Sequence, residues 1–153
     1  MFPEFEKLIS EAVDLVDSVP GYRTIAGRLR RLRIDYLPSL PDRAHTTMRS
    51  QIIVGPKALL ESDKIPFSLA GTLVHEEFHT RQNPFLKTAS FWTGVATRSN
   101  VMARYEWPAY RAQTSFLRAL AHARPNLTEA IDREINAIVD SAHLYYGRPP
   151  EEL

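Results

Sequence analysis

Apolar residues recur at helical spacing through most of this chain. Near the N-terminus Phe5, Leu8, Ile9, Ala12, Val16 and Val19 form one face, with Glu6, Glu11, Asp14 and Asp17 turned away from it. The pattern predicts a helix over residues 3–18, with Pro3 in its first turn and Pro20-Gly21 ending it. Leu69, Leu73, Val74 and Phe78 repeat the pattern in a central helix that opens at Phe67 or Ser68, after the break at Lys64-Ile65-Pro66. It runs to about Gln82, where Asn83-Pro84 closes it. A third helix spans 101–123, and Pro108 requires either a start near Trp107 or a kink. A fourth carries Ile131, Ile135, Ile138, Val139 and Ala142. It begins at an asparagine variant of the capping box, Asn126 to Glu129, and stops at Gly147.

Shorter segments alternate differently. Residues 22–33 read as a short basic helix leading into a strand at Ile34, Tyr36 and Leu37, which Pro38 and Pro41 stop. Ile52-Ile53-Val54, bounded by Gly55-Pro56, form a strand, and Thr46, Thr47 and Met48 extend it or pair with it. Two readings of this strand stay open: an exposed edge to which an extended peptide adds as a further strand, and a small sheet packed on helices that needs no substrate. Residues 57–61 form a short helix, and the aromatic stretch 85–97 a helix or loop-helix packed on the core. The expected fold class is α+β, predominantly helical, with a small antiparallel sheet preceding the central helix. At 153 residues, one domain over 1–153 is expected.

Composition narrows the chemistry. The net charge of +1 argues neither for a nucleic-acid nor for an anionic-membrane partner, and neither is expected. Arg23, Arg28, Arg30, Arg31 and Arg33 are then a solvated face rather than a nucleic-acid reader, whose signature is strongly salt-dependent binding. No stretch approaches the ~18 apolar residues of a membrane span. Met1 to Lys7 lacks the basic start and apolar run of a secretory signal, so a cytoplasmic location is expected. With no cysteine, a bound metal is held by imidazole, carboxylate and water.

The central helix carries His75-Glu76-Glu77-Phe78-His79. Four-residue spacing puts both imidazoles on one helical face, one turn apart, within reach of a single zinc ion. Glu76 projects beside that ion, placed to take a proton from its water, as in the H-E-x-x-H pattern of zinc peptidases. A catalytic zinc needs a third ligand and an open position. Glu106 on the next helix is the best candidate, 106 − 79 = 27 residues after His79, and His122, Asp140 and His143 are the alternatives.

In these residues, His75-Glu76-x-x-His79 followed by Glu106, the chain resembles the gluzincins, the thermolysin-like zinc peptidases. The resemblance covers about residues 44–120. It implies a zincin-like fold, Zn2+ on His75, His79 and Glu106, Glu76 as general base, and a peptide or protein substrate. The chain departs from the pattern at Tyr110, where gluzincins commonly carry a residue that orients a zinc-bound histidine. Tyr105, Tyr110, Arg111, His143, Tyr145 and Tyr146 have the chemistry to stabilise an oxyanion, and His143 is the first candidate for a catalytic role. The expected function is a zinc-dependent metallopeptidase. The competing expectation is a zinc-binding interaction or regulatory module, which tolerates Glu76→Gln where an enzyme does not.

Overall fold

The computed structural model describes residues 3–62, 66–82 and 102–147. The aromatic stretch 85–97 lies outside them. Among the described residues six helices and three short strands follow in order: α1 (Pro3–Asp17), α2 (Arg23–Leu29), β1 (Ile34–Tyr36), β2 (Ala44–Thr46), β3 (Ile52–Val54), α3 (Pro56–Ser62), α4 (Pro66–Arg81), α5 (Met102–Ala123) and α6 (Thr128–Tyr146). A 3₁₀ turn, Pro125–Leu127, joins the last two helices. None of the described helices is long and apolar enough to cross a membrane.

Helix α4 is the centre of the packing. Its starting residue is Pro66, whose missing N–H costs nothing in a first turn. Every residue from Phe67 to Glu77 is buried, so the face opposite the apolar stripe is covered as well. Leu69 and Leu73 enter a core with Val16 of α1, Val19 just past its end, Phe116, Leu117 and Leu120 of α5, and Ile131, Ile135 and Ile138 of α6.

The sheet is mixed rather than antiparallel. Its order is β1-β3-β2, with β1 parallel to β3 and β2 antiparallel to it. A tight turn joins β2 to β3, closed by Thr47 N to Gln51 O at 2.8 Å. Residues 37–43 instead cross over the exit of β3, which puts β1 and β2 on opposite sides of it and makes β1 run the same way as β3. The crossing needs Gly55: a Cβ there would collide with the Asp42 carbonyl and stand 3.0 Å from that of Leu40. Strand β3 is therefore central, with Ile52 and Val54 fully buried, and has no free edge for a peptide. The edge beside α4 belongs to β2.

Two helix boundaries also differ from expectation. Helix α5 starts at Met102, so Pro108 stands inside it, where its ring removes the bond to the Arg104 carbonyl. Helix α6 starts at Thr128 with Leu127 as its cap and no side-chain capping bond. Backbone bonds of the 3₁₀ turn, such as Leu127 N to Arg124 O at 2.9 Å, take the place of the Asn126 cap.

Four of the five arginines of the cluster, Arg23, Arg28, Arg30 and Arg33, meet carboxylates. Arg30 meets Asp14 at 2.8 Å and Asp17 at 3.0 Å, and Arg33 meets Asp35 at 2.7 Å. Arg28 reaches across to Glu77, which is fully buried in α4 and also accepts from Arg81 Nε at 3.0 Å. This pairing ties α2 to the helix that carries the histidines.

Candidate metal centre and its cleft

Helical spacing aligns Ser68, Thr72, His75, Glu76 and His79 along one side of α4. Helix α5 presents Glu106, Tyr110 and Gln113, at i, i+4 and i+7, toward the same space. All of these but Ser68 line, with strand β2 and helix α6, a cleft of about 440 Å³.

At one end of the cleft three side chains converge. His75 Nε2 lies 3.0 Å from His79 Nε2. Glu106 Oε2 stands 3.4 Å from the first and 3.2 Å from the second. The three form a group able to hold a metal ion. All are largely buried, with His75 at 8% and His79 at 7% exposure.

Neighbouring groups fix these side chains. His79 Nδ1 donates to Gln82 Oε1 at 2.6 Å, and Gln82 Nε2 donates to the Tyr105 carbonyl at 2.9 Å. With its proton on Nδ1, His79 keeps the Nε2 lone pair for a metal. The Tyr105 ring stacks on His79 at 4.7 Å and 6°. Tyr110 meets His75 edge-on at 4.6 Å, whereas His75 Nδ1 is buried with no hydrogen-bond partner among the described residues. Tyr110 thus supplies packing, and Gln82 supplies the hydrogen bond whose source the sequence left open. Gln82 had a readable signal, since it follows His79 by three positions, one past the last residue of α4.

Glu76 lines the cleft beside the ligands. Thr46 Oγ1 lies 2.6 Å from Glu76 Oε2 and 3.0 Å from its backbone carbonyl, which locks β2 to α4 and holds the carboxylate by one oxygen. Nothing in the local sequence marks Thr46 for this role, because it depends on how the sheet packs against the helix.

The electrostatics follow from burial and proximity. Burial opposes the charged form of Glu106, but hydrogen bonds from both imidazoles outweigh it and bring the carboxyl down to about 2. Burial likewise opposes a charged His79, and Glu106, with help from Glu76 and Gln82, overcomes it and raises the imidazole above its ordinary value. Burial pushes the Tyr105 and Tyr146 hydroxyls up to about 12 and Tyr110 higher still, so all three remain donors at neutral pH.

These shifts predict a pH profile for the metal-free protein. Glu106, lowered on folding, stabilises above its ordinary 4.5 and loses that contribution as the pH falls toward 2. His79, raised on folding, stabilises fully below 6.5 and loses its contribution as the pH rises through the elevated value. The pair contributes most between about pH 4.5 and 6.5. Urea unfolding across the pH range should show that maximum, and Glu106→Gln should flatten it.

The other candidate residues lie apart from this group. His143 is exposed, 6.1 Å from the Trp107 ring, and does not line the cleft. Asp140, His122 and Arg111 are also exposed and outside it. Tyr110, Tyr145 and Tyr146 do line it, as does His45 on β2. Comparison of the chain with protein-family models, with curated proteins and with solved structures gives no match.

Proposed function

We propose that this protein is a zinc-dependent peptidase of gluzincin type, with His75, His79 and Glu106 as ligands and Glu76 as general base. The observation that carries this is the triangle of donor atoms, with edges of 3.0, 3.2 and 3.4 Å, opening on a cleft that Glu76 also lines. Zinc–ligand bonds of 2.0–2.1 Å at tetrahedral angles separate neighbouring donors by about 3.3 Å. Two imidazoles and one carboxylate are also the donor set of a catalytic site that keeps its fourth position open.

When bound, zinc supplies a Lewis acid and an acidified water. The chain's own residues do the rest. Glu76 is held at Oε2 by Thr46, which leaves Oε1 to take the proton and pass it to the leaving amine. Tyr110 and Tyr146, protonated and lining the cleft, are donors for the charge that develops on the carbonyl oxygen. Strand β2 offers a binding edge. Arg43 O and Thr47 N bond toward β3, so the alternate backbone groups, those of Ala44 and Thr46, point the other way, where an extended peptide can add.

Gln82→Leu should weaken zinc binding by about 10–100-fold, measured by competition with a chromophoric chelator, while the circular dichroism spectrum is unchanged. Hydrolysis of unfolded casein tests the function itself. The expected result is cleavage by zinc-loaded protein that a chelator stops and zinc restores. Binding of one zinc without cleavage of casein or of a broad peptide mixture contradicts the peptidase reading and favours the interaction module.

A further inference from the structure

The cleft extends beyond the metal group, one helical turn toward the start of α4, into a part that the proposed chemistry does not use. Its floor is polar and buried. Thr72 Oγ1 lies there without a hydrogen-bond partner among the described residues, in a side chain that is only 5% exposed. Gln113 of α5, 4% exposed, stands beside it. The amide lies against α4: a Cβ at Gly71 would stand in ordinary van der Waals contact, 3.5 Å, with both Cγ and Nε2 of Gln113. Ser141 and Ile138 of α6 form the facing wall. Arg43 lines the cleft as well, and its Nη1 is held at 3.3 Å by Glu134, which lies behind the lining and also accepts from Ser68 Oγ at 2.8 Å.

We infer that this region is a substrate-specificity subsite that takes a carboxamide side chain, asparagine or glutamine, next to the bond being cut. The inference rests on the peptidase reading above. A buried hydroxyl with no partner is a standing cost that a bound group recovers by hydrogen-bonding to it. The Gln113 amide has both donors and an acceptor, and another amide is its complement. An alkyl side chain would leave Thr72 and Gln113 cut off from water with nothing to bond. A carboxylate would need a cation, and the guanidinium of Arg43 that lines the cleft is already matched by Glu134 at 3.3 Å. The chemistry of the walls therefore selects a neutral group that both donates and accepts.

The test is digestion of a degenerate peptide library by zinc-loaded protein, with products sequenced by mass spectrometry. Cleavage sites should be enriched about tenfold or more in Asn and Gln at one flanking position. Thr72→Val and Gln113→Leu should each reduce that enrichment about tenfold and shift the position toward Leu and Val, with zinc affinity unchanged. Cleavage without Asn or Gln enrichment, or enrichment that survives both substitutions, overturns the subsite and leaves the peptidase reading intact. If the library is not cut at all, the peptidase reading fails, and calorimetry of matched Gln and Leu tripeptides on the zinc-loaded protein decides the subsite alone. Tighter binding of the Gln peptide that Thr72→Val abolishes supports it, and equal binding overturns it.

Discussion

Glu76→Gln is expected to lower kcat on a peptide substrate by about 10²–10⁴-fold while the protein keeps one zinc. The substitution preserves size and leaves an oxygen for Thr46, whose hydroxyl lies 2.6 Å from the carboxylate. The three ligand atoms are untouched, since Glu76 is not part of the group of His75, His79 and Glu106. What is lost is the ability to take a proton at the free carboxylate oxygen. KM should change little, because the cleft keeps its shape. Metal content by mass spectrometry, read beside steady-state kinetics, separates this from simple loss of the site. Retained turnover in a zinc-replete Glu76→Gln protein would assign the base elsewhere. An equal loss of zinc would mean that the glutamate holds the metal or the fold rather than a proton.

The second large effect concerns stability. Glu77 is fully buried on α4, and its charge is matched by Arg28 from α2 and Arg81 one turn along the same helix. Removing both partners leaves a buried carboxylate without compensation, a loss of about 3–5 kcal/mol. The double variant Arg28→Met, Arg81→Met should therefore lower Tm by about 10 °C. Methionine keeps the apolar stems, including the contact of Arg81 with the Phe78 ring. Each single variant leaves one guanidinium in place, so the two single losses should sum to clearly less than the double loss. Arg81, 44% exposed, should cost about 1 kcal/mol or less by itself. Urea denaturation of the four proteins measures the cycle. Strict additivity with a small total would contradict a buried carboxylate that depends on these two guanidinium groups.

The periodic parts of this architecture were legible in the sequence, and the parts set by tertiary crossing were not. Phe5 to Val19 and Ile131 to Ala142 mark their helices because a 3.6-residue stripe has one physical cause, a buried face. His75 and His79 meet for the same reason, being one turn apart on one helix. Glu106 was reachable because it lies on the next described helix, which returns past α4. The parallel pairing of β1 with β3 was hidden, since it depends on residues 37–43 passing over Gly55 rather than folding back as a hairpin. Thr46, Thr72 and Gln113 gave no local signal either. Each acquires its position from a neighbouring element. His143 has suitable chemistry, but α6 turns it aside: two residues from both Ser141 and Tyr145, it is rotated about 200° from the face those residues present to the cleft.

The most direct test of the account is zinc K-edge X-ray absorption on the protein loaded with one equivalent of metal. Four ligands at about 2.0–2.1 Å are predicted, with the scattering signature of two imidazoles and the remainder oxygen. His79→Ala should remove one imidazole from that shell. A six-oxygen shell, or a spectrum that is the same in wild type and His79→Ala, would contradict a metal held by His75, His79 and Glu106.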